Sequence, residues 1–379
     1  MNKSDLNRNL FMLKGSLSKN GYDWWWHSFT GYNRETGESK AFFIEYFIIN
    51  PALGKNEPVF GQLPENKIKE IRPSYVMIKA GCWGKDAKQV HQFYPINQLK
   101  CEQDILDLRV GNCSLTEKRI IGQVKLSSEE QIKHPEYMSD AGEISWDLTI
   151  DKKIAYNVGY GASELFRKLN CFEMFWHAEG MGSEFEGTVT VDGEIYDIIK
   201  DKSYGYCDKN WGKNYTSPWV WISSYNMVSK LTNKPLKNSC IDIGGGKPKV
   251  LGIPLDRKLL IGLYYEGEMY EYNFSKFWNK VKIKFDVTEE ETRIHWNIRA
   301  ENKNSYLELD AYCHKDEMLH INYEAPDGKK LHNKLWNGGT AFGEIKLYKV
   351  INGSKELIDH IEMKNIGCEY GEYGEESLY

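Results

Sequence analysis

Polar and apolar positions alternate through most of the second half of the chain. Val281, Ile283, Phe285 and Val287 alternate with Lys280, Lys282, Lys284 and Asp286. Beyond the acidic turn Glu289-Glu290-Glu291, Ile294, Trp296, Ile298 and Ala300 alternate with Arg293, His295, Asn297 and Arg299. Side chains on a strand point to opposite faces with period two, so the two runs predict an antiparallel hairpin with one buried face. Tyr306 to Cys313, Leu319-Ile321-Tyr323 and Ile345-Leu347 repeat the pattern, with Lys and Glu on the solvent side. In the first half, Ala41 to Ile49, Tyr75 to Ala80 and Ile144 to Ile150 are further strand candidates, and Glu164 to Leu169 is one short helix candidate. Asp192-Gly193, Asp327-Gly328 and Asn352-Gly353 fall between such runs, and these pairs accept the positive φ angles of tight hairpin turns. Many short strands with little helix and no βαβ alternation predict an all-β protein of sandwiches or barrels. We expect one β-domain in residues 1–200 and another in 201–379, packed closely, with few short helices and a ligand crevice between them.

Composition narrows the functional classes. The 379 residues carry 49 Lys+Arg and 54 Asp+Glu, and the net charge of -5 is spread along the chain, which argues against nucleic acid as a partner. No apolar run reaches the ~20 residues of a bilayer span, and Met1 to Ser18 lacks a signal-peptide pattern. Eight scattered cysteines without a CxxC pair are expected to be reduced thiols in a cytoplasmic protein, with no metal and no cofactor. Aromatic residues make up 13% of the chain, enough to wall a cavity as well as fill a core.

The densest chemistry lies in Tyr204-Gly205-Tyr206-Cys207-Asp208-Lys209-Asn210-Trp211-Gly212, followed by Pro218-Trp219-Val220-Trp221. An acid among indoles and phenols is desolvated, which raises its pKa and makes it a proton donor. Lifting Asp208 from ~3.9 to neutrality takes roughly 4 kcal/mol, within the range of buried carboxyls. The plainer alternative is an Asp208–Lys209 pair or a capped turn. Gly244-Gly245-Gly246-Lys247 lacks the spacing of a phosphate loop and reads as a glycine turn. Glu369, Glu372, Glu375 and Glu376 read as a mobile acidic terminus.

Several segments in order resemble the tocopherol cyclase family: Asp23-Trp24-Trp25-Trp26-His27, Ala41-Phe42-Phe43-Ile44, Asn50-Pro51, Tyr206 to Gly212 and Trp219-Val220-Trp221. The likeness continues through Ile243 to Pro248, Leu260 to Gly267, Tyr270-Glu271-Tyr272, Ala300-Glu301-Asn302 and Leu307-Glu308-Leu309. The chain departs from that family at Trp176-His177 and at Trp336-Asn337-Gly338-Gly339. The wider group, with carotenoid 1,2-hydratases and lipocalin-like cyclases, implies two lipocalin-like β-domains around an apolar cavity. It also implies acid-initiated addition to a prenyl double bond, the cation being captured by a phenol oxygen or water. On that resemblance Asp208 is the proton donor and His177 a candidate relay. Trp24, Trp25, His27, Tyr204, Tyr206, Asn210, Trp211, Trp219 and Trp221 are candidates for substrate contact. The expected partner is an apolar isoprenoid, prenyl-quinol or lipid, with peripheral membrane association compatible and the oligomeric state unspecified. Two rival classes are a lipocalin-like carrier without chemistry and a carbohydrate-binding or glycoside-cleaving β-protein, the latter needing two acids across one cleft.

Overall fold

The computed structural model describes residues 6–155, 173–247, 249–250, 253–254, 258–274, 276–329 and 331–374. The helix candidate Glu164 to Leu169 and Cys171 lie outside the described residues. The first sheet has twelve strands: β1 (Tyr22–Asn33), β2 (Ser39–Ile49), β3 (Tyr75–Trp83), β4 (Lys88–Tyr94), β5 (Lys100–Cys101), β6 (Asp107–Val110), β7 (Cys113–Thr116), β8 (Arg119–Leu126), β9 (Gly142–Ile154), β10 (Met174–Val191), β11 (Glu194–Ile198) and β12 (Gly205–Gly212). β12 pairs with both β1 and β10, and β4 returns alongside β8, where the Lys125 N–H donates to Gln92 at 3.4 Å. The sheet thus curls into a barrel.

The second half begins with β13 (Trp219–Ser224), β14 (Asn226–Ser229) and β15 (Cys240–Gly246), followed by a separate small hairpin, β16 (Lys249–Val250) and β17 (Ile253–Pro254). It continues through β18 (Lys258–Tyr265), β19 (Glu268–Asn273), β20 (Lys282–Glu289), β21 (Arg293–Glu301), β22 (Ser305–His314), β23 (Leu319–Glu324), β24 (Leu331–Ile351) and β25 (Ser354–Gly374). Apart from β16 and β17 these make an eleven-stranded antiparallel sheet. The change of sheet falls between Gly212 and Trp219, so β12 belongs with the first sheet although it lies past residue 200. Among the described residues the α-helical segments are short, Pro64–Ile68 and Ser128–Lys133, the second opened by a Ser127–Glu130 capping box. The all-β reading with few short helices holds.

The strand register follows from the alternation. β20 and β21 pair Ile283 with Ala300, Phe285 with Ile298 and Val287 with Trp296, so the apolar set shares one face. Asp192-Gly193 and Asn352-Gly353 turn with φ of 48° and 94° and of 51° and 83°, the conformation their hairpins require.

Period two also sorts the core into three layers. Trp25, Phe29, Phe42 and Ile44 fill the first barrel, and Ile241, Ile243, Trp296 and Leu309 fill the second. Between the sheets lie Trp26, Phe43, Phe47, Trp176, Tyr206, Trp219, Trp221 and Tyr323. Indole rings lie over glycines, Trp176 and Trp83 of the first sheet on glycines of the second and Trp221 on a glycine of the strand beside it. A Cβ on Gly244 would come within 2.7 Å of the Trp176 ring, one on Gly367 within 2.4 Å of Trp221, and one on Gly339 within 2.2 Å of Trp83. The Gly244-Gly245-Gly246 run is therefore the end of strand β15 and not the turn expected from sequence. Its lack of side chains is what admits the Trp176 ring. Gly339→Ala should destabilise the protein by about 1–3 kcal/mol through overpacking against Trp83, read as a lower denaturant midpoint; an unchanged midpoint would mean that the ring moves aside freely.

Candidate active site

Alternation along β12 sends Tyr206, Asp208 and Asn210 toward the second sheet and Cys207, Lys209 and Trp211 into the first barrel. Lys209 is fully buried there, ion-paired with Asp23 and 3.8 Å above the Trp25 ring. An Asp208–Lys209 pair is thus ruled out by geometry, since neighbours on a strand face apart. Asp208 instead accepts hydrogen bonds at Oδ2 from Trp176 Nε1 (2.7 Å) and Tyr206 Oη (3.3 Å). Its Oδ1 is buried with no partner among the described residues. Burial pushes the Asp208 pKa well above the usual carboxylate range, and the nearby Glu369 and Glu179 push it further, against the pull of the Trp176 N–H.

Two further acids join it from the second sheet. Asp242, on β15, accepts from Tyr206 Oη at 3.1 Å and from Trp221 Nε1 at 3.2 Å, and burial together with Asp208 raises its pKa well above normal. One phenol therefore bridges two carboxyls. A phenol has a single proton, so the bridge is complete when one of the two carboxyls is itself protonated. Glu369, on β25, accepts from Trp219 Nε1 (2.6 Å) and from Asn337 Nδ2 (2.6 Å), and burial lifts its pKa to about 7. Asn337 is oriented in turn by Trp83 Nε1, which donates to its Oδ1 at 2.8 Å.

A cleft between the sheets is lined by Trp24, Trp26, Asp208, Asn210, Trp219, Trp221, Tyr323 and Glu369. Its own side chains nearly fill it, leaving about 20 Å³, room for a single water. Trp24 stacks on Tyr323 at 5.1 Å along one wall. Trp26 stands beside Asp208 across the β1–β12 ladder and beside Glu45 across β1–β2, and Glu45 is ion-paired with Lys79 at 2.9 Å. Asn210 Nδ2 and Trp26 Nε1, like Asp208 Oδ1, are buried without a partner among the described residues. All three atoms belong to residues that line the one cleft.

Of the residues singled out from sequence, Asp208, Tyr206, Asn210, Trp24, Trp219 and Trp221 come together here. The others do not. Trp25 is in the barrel core, where its Nε1 donates to the Asn9 carbonyl at 2.8 Å. Trp211 faces the barrel with Lys209 5.3 Å from its ring. His27 shares that interior, edge-on to Phe185 at 6.4 Å, where burial lowers its pKa to about 3 and keeps it neutral. Tyr204 sits in the turn before β12 with φ 44°. His177 pairs with Lys209 across β10–β12 and so faces the barrel; its neighbour Trp176, not His177, reaches Asp208. The expected mobile acidic terminus is also corrected. Glu369 and Glu372 lie in strand β25, while Glu375 and Glu376 are outside the described residues.

Sequence reasoning missed Trp26, Asp242, Tyr323 and Glu369. For Trp26 the signal was available: the i, i+2 rule places Trp24 and Trp26 on one face and Trp25 on the other. Asp242 stands between Ile241 and Ile243, an acid on the second face of a buried strand. Tyr206→Phe should cost about 1–3 kcal/mol by removing the donor shared by two buried carboxyls, measured by equilibrium unfolding; a cost near zero would mean that the two acids do not need the bridge.

A family profile described as Tocopherol cyclase-like matches residues 81–372. In Oryza sativa subsp. japonica a protein named "Probable tocopherol cyclase, chloroplastic" is 29% identical over 141 residues, and in Zea mays "Tocopherol cyclase, chloroplastic" is 27% identical over 144 residues. Each match covers 37% of this chain and 27% of the relative, so the chain aligns with about a quarter of those proteins. The crystal structure of kievitone hydratase from Nectria haematococca superposes with a TM-score of 0.44 at 13% identity, over 94% of this chain and 93% of that one.

Proposed function

The chain belongs to the tocopherol cyclase-like family, and we propose that its intersheet cleft receives the double bond of a prenylated or other isoprenoid small molecule, which Asp208 protonates to start cyclisation or hydration. The observation that carries this reading is the state of Asp208: a carboxyl buried among indoles, with one oxygen unpartnered and its pKa raised far enough to hold a proton. Protonating an alkene demands an acid that retains its proton until the substrate is in place and a dry site, because water would trap the cation. Trp24, Trp26, Trp219 and Trp221 offer ring faces whose quadrupoles stabilise a carbocation. Tyr206 holds the Asp208 carboxyl from the side and connects it to Asp242.

The narrowness of the cleft constrains the pose. With room for about one water among its side chains, it admits a ring or an alkene segment only as the wall rings move apart. A second reading, cleavage or binding of a sugar, draws on Glu369, because an acid from each sheet now lines the one cleft. Family membership and the absence of a charged partner for Asp208 among the described residues favour the isoprenoid. Native mass spectrometry after gentle purification separates the two: an apolar ligand fits the proposal and an oligosaccharide defeats it.

Asp208→Asn should lower turnover of a panel of prenylated hydroquinones and isoprenoid alkenes by about 10²–10⁴-fold, with binding close to wild type. Wild-type activity should decline as pH rises through the elevated Asp208 pKa, since the protonated form is the reactant. Turnover by Asp208→Asn at the wild-type rate would remove Asp208 from the chemistry.

A further inference from the structure

Tyr206 Oη lies between two carboxyls, 3.1 Å from Asp242 Oδ2 and 3.3 Å from Asp208 Oδ2, and has one hydrogen to give. The side on which that hydrogen lies decides which acid is the better-supported anion and which is left to keep a proton. The two acids differ in how their donors are placed.

Asp242 is met at both oxygens. Its Oδ1 accepts from Trp221 Nε1 at 3.2 Å, its Oδ2 is the nearer acceptor for the phenol, and the Ile243 backbone N–H favours its anion as well. The Trp221 N–H also reaches Tyr206 Oη at 3.3 Å, so the phenol oxygen accepts there and its own hydrogen is free to point at a carboxylate. At Asp208 the donors converge on one oxygen, Oδ2, with Trp176 Nε1 at 2.7 Å and the phenol farther away. Oδ1 accepts from neither, is buried, and belongs to a residue that lines the cleft.

A carboxylate is stabilised by each N–H or O–H it accepts, and once one acid of a coupled pair is ionised its charge opposes ionisation of the other. With the phenol hydrogen turned to Asp242, that acid has donors at both oxygens, whereas Asp208 retains the Trp176 bond alone. The short bond from Trp176 marks Oδ2 as the carbonyl oxygen of the neutral acid, because a carbonyl oxygen accepts better than a hydroxyl one. Oδ1 is then the oxygen that carries the proton.

We propose that Asp242 is a positioning residue for Asp208: as the carboxylate of the pair it holds the Tyr206 hydrogen on its own side, so that Asp208 is the carboxyl that keeps its proton, on Oδ1 and toward the cleft. Asp242 does not line the cleft and acts through the phenol. The consequence for turnover rests on the reading of Asp208 given above, whereas the placement of the proton does not. The titratable groups packed against the pair are Tyr206 and Cys207 on β12, Glu179 on β10, Cys240 on β15 and Glu369 on β25.

The test of placement needs no substrate. Infrared spectra of the full-length chain with isotope-labelled aspartate, recorded across pH, follow the C=O band of each protonated aspartic acid. The band that survives to the highest pH should vanish in Asp208→Asn and persist in Asp242→Asn. In Asp242→Asn it should titrate away about one pH unit or more below wild type, because a neighbouring charge is gone and the new amide N–H, given to Tyr206 Oη, turns the phenol hydrogen to Asp208. The descending limb of turnover should move with it, a shift that a merely structural role would not produce. In a Tyr206→Phe background the effect of Asp242→Asn should shrink, since the phenol no longer transmits it. If the last band vanishes in Asp242→Asn instead, or if the Asp208 band stays where it was, Asp242 is not the positioning residue. If the bands behave as expected while Asp208→Asn turns over at the wild-type rate, the placement of the proton stands and the reading of Asp208 as the reactant falls. Should Asp242→Asn fail to fold, Trp221→Phe, which takes one donor from Asp242, should also move the Asp208 band to lower pH; an unmoved band overturns the proposal by itself.

Discussion

A carboxyl group buried without a cation of its own is the constraint on which the arrangement between the sheets turns. Ionising Asp208 would place a charge in a dry layer of indoles, next to Glu369 and across a phenol from Asp242. Like charges at this range cannot all be ionised together, so protons must stay in the cluster, and the hydrogen-bond donors decide where. Tyr206 ties Asp208 and Asp242 into one unit, while two fixed N–H donors hold Glu369 apart as the acid easiest to ionise. The cost of desolvation is thereby expressed as raised pKa values for all three carboxyls.

Packing makes that layer possible. Sheets stacked face to face are usually separated by interdigitating side chains of both, but here glycines on the second sheet lie under indoles of the first or of a neighbouring strand. Trp176 rests on Gly244, and its Nε1 is the donor that holds Asp208. Trp83 rests on Gly339, and its Nε1 fixes the Asn337 amide that orients Glu369. Each such contact contributes apolar burial through its ring and direction through its N–H. The same glycines that shape the interface therefore set the geometry of the acids, which ties the stability of the intersheet layer to the site.

The strands were legible because alternation is a local property: β20, β21 and β22 could be read residue by residue, and their one-sided burial agrees with the pattern. Asp208 stood out because its aromatic neighbours are close in sequence. Partners that come from other strands left weaker marks. Glu369 lies in an acidic stretch that resembles a solvated tail, and only the pairing of β25 with β13 and β24 brings it beneath Trp219. Asp242 was overshadowed by the glycines that follow it. Where local reading went astray, it grouped sequence neighbours that period two separates: Trp25 with Trp24 and Trp211 with Asn210.

That separation explains why the Asp208 pKa is raised although Lys209 is its immediate neighbour. Lys209 points into the first barrel and is neutralised by Asp23. On the same side Lys152 is shared by Glu179 and Glu117, the latter at 2.7 Å, so this ion cluster is net negative and Glu179 acts on Asp208 to favour the proton. On the cleft side Lys79 is committed to Glu45, which is held by Tyr323 Oη at 3.1 Å. The ammonium groups of Lys209, Lys152 and Lys79 each have a carboxylate nearer than Asp208. A strand that presented Lys209 and Asp208 on one face would form an ordinary ion pair and lose the acid. Alternation, the simplest property of a strand, is what keeps the Lys209 ammonium away from Asp208.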